Sequence, residues 1–302
     1  MSFKVLATGP QALFQDLGRF GFSSSGVGTS GVFDRAAAAR ANYALGNQPT
    51  ATVLEIVLGG FELEVLHPAT VIFCGAQARA TITKAKTKAT QTAIPHQALS
   101  NTIIDVESGD HIRLELPTKG MRSYMAVRGG FDAPKVLGSA SADLLSHIGP
   151  APLKSGDMLS IAKDTLSTSW WPLLRHLPLR WPLQEITTLE VIHGPRAEWF
   201  SQQSQEDFYN QVFEVSQDSN RIGIRLNSPT PLVRAQAGEL KSEGMVRGSI
   251  QVPPGGHPVI FGPDHPVTGG YPVIAVLSAQ ASNLAAQLAP GDKIRFRQIT
   301  PE

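Results

Sequence analysis

The sequence holds a single cysteine, Cys74, in 302 residues, which excludes an internal disulfide framework. It also lacks an excess of either charge. Against 26 Lys and Arg stand 25 Asp and Glu, a formal net charge of +1, so no broad field draws in nucleic acid or anionic lipid. No apolar run approaches the roughly 18 to 20 residues that cross a bilayer; stretches such as Pro258 to Gly262 are soon interrupted by prolines and charges. The start, MSFKVLATGPQ, has neither the basic nor the apolar region of a signal peptide. These absences predict a cytoplasmic protein with neither a membrane nor a nucleic-acid partner.

The common catalytic signatures are missing as well. There is no G-x-x-x-x-G-K-[ST], no G-x-S-x-G and no H-E-x-x-H. The eight histidines do not cluster: His257, Asp264 and His265 come nearest, but intervening prolines give no face on which three ligands converge, and no metal site is expected. Gly26-Val27-Gly28-Thr29-Ser30-Gly31 matches G-x-G-x-x-G, yet the segment before it, from Gln15 to Ser25, is polar and glycine-rich rather than a buried strand. A Rossmann site is therefore not expected. Two readings remain for this loop: an anion cradle of backbone N–H groups ahead of a helix, or a tight structural turn. Cys74 follows the apolar Val71-Ile72-Phe73 with no histidine nearby, as expected of a buried structural thiol.

What is abundant is glycine and proline, 28 and 22 residues, punctuating short runs rich in Val, Ile, Leu and Phe. Alternation over 52–58 and 61–66 predicts half-buried strands joined by tight turns. A Gly-Asp pair precedes an alternating run three times, at Gly109-Asp110, Gly156-Asp157 and Gly291-Asp292, each predicting a turn into a strand and suggesting similar barrel-like units. Helices are few: one from the Asp34 N-cap through an alanine-rich body to Gly46, and two shorter ones over 195–205 and 282–288. Three tryptophans and three prolines crowd 167–185, which reads as a linker pinned against a domain surface between domains 1–166 and 186–302.

Polar residues in apolar or glycine-rich settings mark candidate chemistry. Asp16 and Arg19 flank Gly18, as a turn-holding pair or as substrate ligands. Asn42 and Glu55 sit inside apolar stretches, and a buried carboxylate needs a partner, for which Arg19 is the candidate. The densest such region runs from Ser242 to Gly256 and from Asp264 to Pro272. It interleaves Glu243, Gln251, Asp264, Thr268 and Tyr271 with glycines that let backbone N–H groups approach a ligand.

Many of these segments resemble the motifs of one family, nearly end to end: Gln15-Asp16-x-Gly18-Arg19, Gly31-x-x-Asp34, Ala41-Asn42, Gly46-Asn47, Leu54-Glu55, Gly129-Gly130, Gly138-Ser139, Ser219-Asn220-Arg221-x-Gly223-x-Arg225-Leu226, Ser242-Glu243-Gly244, Gly248-x-Ile250-Gln251-Val252-Pro253 and Thr268-Gly269-Gly270-Tyr271-Pro272. The sequence is similar to the biotin-dependent carboxyltransferase subdomain A and B family, which includes KipA, the C subunit of bacterial 5-oxoprolinase, proteins called allophanate hydrolase subunit 2 and the transferase region of urea carboxylase. The resemblance implies a mainly β fold of two cyclophilin-like β-barrel domains with few short helices.

Three functions follow from the resemblance. The first is the C subunit of an ATP-dependent 5-oxoprolinase, opening 5-oxoproline to glutamate together with an amidohydrolase A subunit plus a KipI-like B subunit; ATP is then a co-substrate of the complex. The second is a carboxyltransferase half that uses biotin. The third is a KipA-like regulator without turnover that binds a KipI-like kinase inhibitor. The free-standing length and the lack of a biotin-carrier Met-Lys-Met segment favour the first. On that reading Glu243, Asp264, Tyr271 and Asp16 are the catalytic candidates. Arg19 and Arg221 bind anionic groups, and Asn42, Glu55, Gln251, Thr268, Gly269 and Gly270 complete the substrate contacts. Two departures stand out. Pro266-Val267 replaces the family's Gln-Thr, and Ala140-Ser141-Ala142 replaces Arg-Ser-Thr.

Overall fold

The computed structural model describes residues 1–85, 95–162, 170–178, 185–236, 238 and 240–300. The chain divides into two compact units: Met1–Arg19, Asp34–Ala142 and His147–Arg180 form the first, and Phe20–Phe33, Asp143–Ser146 and Trp181–Glu302 the second. Contiguous ranges read from the sequence missed the two excursions, 20–33 and 143–146. Among the described residues, no helix is long and apolar enough to cross a membrane.

In the first unit a five-stranded sheet runs in the order Gln11–Gln15, Val53–Val57, Lys119–Val127, Ala69–Gln77, Ile103–Val106. A second sheet of seven strands contains Phe61–Val65, whose alternation buries Phe61, Leu63 and Val65 and leaves Glu62 and Glu64 half-buried. Val53–Val57 breaks the alternation. Its first four residues, Glu55 included, are all buried, because it lies between two other strands and is covered on both faces. The helix Arg35–Ala44 packs on Lys119–Val127 and Ala69–Gln77. Its buried Ala37, Ala38 and Ala41 permit close approach, and the Asp34 carboxylate accepts from the Ala37 N–H at 2.9 Å.

The three Gly-Asp turns share one construction. Asp110, Asp157 and Asp292 each accept from the N–H three residues back, at Glu107 (2.9 Å), Lys154 (2.8 Å) and Ala289 (2.8 Å). Gly109, Gly156 and Gly291 adopt φ of 86°, 94° and 89°, the left-handed region that disfavours a side chain.

In the second unit seven strands close into a barrel, in the order Ile186–His193, Val273–Leu277, Ser249–Gln251, Val259–Phe261, Gly223–Asn227, Phe213–Val215, Lys293–Gln298. The closing pair, Ile186–His193 with Lys293–Gln298, is parallel. Its core includes Phe208, stacked on Phe296 at 4.4 Å between ring centroids, and Phe213. The helix expected over 195–205 is a short 3₁₀ turn, Ala197–Trp199, followed by a helix Gln202–Asn210 that begins where the Ser201 hydroxyl accepts from the Ser204 N–H. The third helix, Ala279–Ala285, starts earlier than expected because Ser278 caps it through the Ala281 N–H.

Within 167–185, residues 170–178 and Glu185 are described, and Trp181 lies outside the described residues. Trp170 packs against Gly46 under the Arg128 guanidinium, 4.4 Å from the ring centroid. Trp171, in contrast, is 83% exposed, which corrects the expectation that the tryptophans are pinned down.

One buried ion pair of the second unit contacts both excursions. Arg221 donates to both Asp264 oxygens at 2.9 Å and to the Gly31 carbonyl at 2.8 Å. Asp264 also accepts from the Ser30 hydroxyl at 2.6 Å and the Leu144 N–H at 3.1 Å. Gly262 makes room for this arrangement, since a Cβ there would lie 2.1 Å from the Arg221 carbonyl oxygen. Removing one member leaves the other charge buried, so Asp264→Ala should cost about 3 to 5 kcal/mol of stability. Urea unfolding checks this, and a loss below about 1 kcal/mol contradicts it.

Candidate functional site

On the strand Gly223–Asn227, Ile224 and Leu226 enter the barrel core, which puts Gly223 and Arg225 on the outer face. The neighbouring register pairs Gly223 with Phe261, Arg225 with Val259 and Gln251 with Val259, so one outer stripe carries Arg225, Val259, Phe261 and Gln251. A cleft of about 240 Å³ opens over this stripe, walled further by Asn220, Ile222, Pro253, Pro266 and Tyr271. Gly223 contributes by having no side chain: a Cβ there would come within 2.8 Å of Val259 Cγ1. Beneath lies a small apolar cluster of Met245, Phe261 and Val273.

The polar groups of the cleft are held by backbone. Gln251 is buried, and its Nε2 donates to the Tyr271 carbonyl at 3.0 Å. Gly269 faces it so closely that a Cβ would sit 2.6 Å from that nitrogen. Tyr271 is 43% exposed with the Arg234 guanidinium 5.6 Å from its ring centroid, and Arg234 is anchored on the Val252 carbonyl. Asn220 Oδ1 accepts from the Ile222 and Gly223 N–H groups, fixing the turn into the Arg225 strand.

Glu243 lies next door, on a two-residue strand Glu243–Gly244 paired with Thr268–Gly269. Its carboxylate is bound by Arg196, and that hydrogen bond holds the guanidinium above its usual pKa. Thus Glu243, Gln251, Thr268, Gly269, Gly270 and Tyr271 belong to one loop system. Asp264 and Arg221, by contrast, are committed to each other as described above and serve as its anchor. His265 stacks on Phe261 at 5.7 Å between centroids, with Nδ1 2.8 Å from the Pro266 carbonyl. Burial pushes its imidazole below the ordinary histidine value, against the opposing pull of the Asp264 charge.

The remaining candidates lie in the first unit. Asp16 grips residues 139–141: it accepts from the Ser139 and Ser141 hydroxyls at 2.6 and 2.7 Å and from the Ala140 N–H at 2.7 Å. Arg19 donates to the Ser141 carbonyl. Glu55 accepts from the Tyr124 hydroxyl at 2.8 Å and faces Arg122 at 3.9 Å, so the strand beside it supplies the partners that the sequence reading sought in Arg19. Burial first, and then the Glu55 charge, push the Tyr124 phenol well above its usual value. Asn42 accepts from Asn47 and donates to the Ala51 carbonyl. Burial pushes the Cys74 thiol up to about 12, so it remains protonated and inert. Among the described residues no group of three or more His, Cys, Asp or Glu is arranged to hold a metal ion.

Comparison with known proteins decides the family. The profile described as carboxyltransferase domain, subdomain A and B, matches residues 25–298. The chain belongs to this carboxyltransferase-domain family. It is 32% identical to the 5-oxoprolinase C subunit of Escherichia coli over 99% of its length and 92% of that protein. The solved structure of Kluyveromyces lactis urea carboxylase superposes with a TM-score of 0.85 at 29% identity over 99% of this chain. That of the protein TTHA0988 superposes with a TM-score of 0.80 at 30% identity over 98% of it. This chain spans 27% of the former and 55% of the latter.

Sequence reasoning passed over Asn220 and Arg225 as site residues although both lie in a quoted motif. The available signal was parity: Arg225 stands between Ile224 and Leu226 and so faces outward beside Gln251. For His265 the unfolded chain binds more protons as pH falls below about 6.5, so the fold loses stability there. Urea unfolding at about pH 7.5 and about pH 5 should show His265→Gln losing less stability than the wild type. Equal losses contradict this.

Proposed function

We propose that this chain is the C subunit of an ATP-dependent 5-oxoprolinase, in which the cleft of the second unit holds the cyclic amide. The observation that carries this is the near full-length match to a 5-oxoprolinase C subunit, 99% of this chain against 92% of that one. The cleft's chemistry suits the substrate. Arg225 offers a guanidinium to the ring acid's carboxylate, Phe261 and Pro266 give the ring an apolar wall, and Asn220, Gln251 and Tyr271 supply amide and phenol groups for the lactam. Ring opening requires charge developing on the lactam oxygen to meet fixed donors, the role assigned here to Gln251 and the Tyr271 hydroxyl. Glu243, held by Arg196, orients the Thr268–Gly269 ribbon and supplies negative charge beside the cleft.

On this reading ATP is a co-substrate of the whole assembly, whose other members in the cytoplasm are an amidohydrolase A subunit plus a KipI-like B subunit. Nucleotide handling is assigned to those partners. The one loop of phosphate-cradle spacing, Gly26–Gly31, leads to a helix whose Ala37 N–H is already taken by Asp34. A second reading, a carboxyltransferase half that uses biotin, draws on the likeness to urea carboxylase.

The test is reconstitution. The chain with its A and B partners should hydrolyse ATP in response to 5-oxoproline, and Arg225→Ala, Glu243→Gln and Tyr271→Phe should each lower turnover about tenfold or more, about 1.4 kcal/mol of barrier. No 5-oxoproline-dependent hydrolysis by the wild-type assembly overturns the reading. Transfer of the carboxyl group from a carboxylated biotin carrier to urea supports the second.

A further inference from the structure

Tyr271 enters the cleft on a backbone that is fixed twice. Its carbonyl accepts from Gln251 Nε2 at 3.0 Å, and it precedes Pro272, which restricts it to extended conformations. Neither constraint sets the two side-chain torsions that aim the phenol, and among the described residues its hydroxyl has no hydrogen-bond partner. What touches the ring is Arg234, whose guanidinium carbon lies 5.6 Å from the ring centroid.

Arg234 is itself held still. Its backbone bridges Phe200, and its neighbours are tied on both sides: the Val233 N–H donates to the Ser204 hydroxyl at 2.8 Å and the Ala235 N–H to the Trp199 carbonyl at 2.8 Å. One guanidinium nitrogen donates to the Val252 carbonyl at 2.9 Å. Val252 follows Gln251, and its own N–H donates to the Pro272 carbonyl at 3.1 Å, so Arg234 is moored to the two segments that carry the cleft's amide and phenol. An arginine serving only as a clamp spends its donors on oxygens. Here Nε is buried without a hydrogen-bond partner, and among the described residues no carboxylate pairs with the guanidinium. The face of the phenol offsets that loss by accepting the cation. Arg234 does not line the cleft, so it reaches a ligand only through Tyr271.

We propose that Arg234 is the positioning residue for Tyr271, holding the ring by one face so that the hydroxyl meets the lactam oxygen of the cyclic amide. The lactam rests on the functional reading above; the hold on the ring rests on the geometry alone. Ring opening depends on donors already in place where charge develops, and a displacement of about 1 Å costs on the order of a hundredfold in rate. A phenol free to turn about its two torsions gives up that advantage in the transition state. Binding of the ground state, which draws on Arg225 and the apolar wall, is then little changed.

The experiment labels the full chain with 3-fluorotyrosine for fluorine NMR. The chain holds four tyrosines, and Tyr271→Phe identifies the line of Tyr271 by its loss. In Arg234→Met that line should move and broaden while the others stay, and Arg234→Lys, which keeps a cation at the ring, should bring it part of the way back. An unchanged line overturns the proposal. So does movement of all the lines together, which makes Arg234 a clamp on the fold. In the reconstituted assembly Arg234→Met should lower kcat about fivefold or more with KM for 5-oxoproline within about twofold, and should cost nothing further in the Tyr271→Phe background. Independent, additive losses overturn the proposal. The functional reading is judged separately: a wild-type assembly without 5-oxoproline-dependent ATP hydrolysis overturns that reading, and the fluorine spectra still decide whether Arg234 holds the ring.

Discussion

The buried pair of Arg221 and Asp264 is the constraint on which the candidate site depends. Arg221 lies two residues before the strand that carries Arg225, and Asp264 opens the segment that carries Pro266, Thr268 and Tyr271. Their bidentate contact therefore ties the two sides of the cleft together. A charge pair so deeply buried is justified only when its remaining hydrogen-bonding capacity is met, and here Ser30, Gly31 and Leu144 meet it. Those same contacts recruit the excursions 20–33 and 143–146 into the second unit. The same pair thus links both excursions to the unit and ties together the two sides of the candidate cleft, while Arg247 and the core packing of Phe33 hold residues 20–33 as well.

The division of labour among polar residues follows from burial. Asp16, Glu55, Asn42, Arg221 and Asp264 are all buried and each is bound by named partners, so their role is to hold segments in place. The cleft draws its chemistry from groups at the surface or its margin: Arg225 exposed, Tyr271 partly so, and Gln251 buried but adjoining the cleft. Motif residues in this chain therefore serve two physical ends, and their presence in a motif does not distinguish them.

How much of this is legible in the sequence depends on the range of the interaction. Local features are readable: the Asp34-capped helix, the alternation of Phe61–Val65 and the three Gly-Asp turns all arise from contacts a few residues apart. The gathering of Glu243, Gln251 and Thr268–Tyr271 into one loop system is readable too, because glycine and polar residues concentrate there. Long-range pairing is not readable. Nothing local to Glu55 indicates Tyr124 and Arg122, and nothing in residues 20–33 indicates that Ser30 answers to Asp264, 234 positions away. Likewise the exposure of Trp171 beside the well-packed Trp170 depends on which ring finds Gly46.

The central claim is that the cleft on the outer face of the second unit holds a small cyclic amide acid. A crystal structure of the assembled enzyme with 5-oxoproline tests it most directly. The account predicts the ligand's carboxylate against Arg225 and its lactam beside Gln251 and Tyr271. Density for the ligand elsewhere, with this cleft holding only solvent, would contradict it.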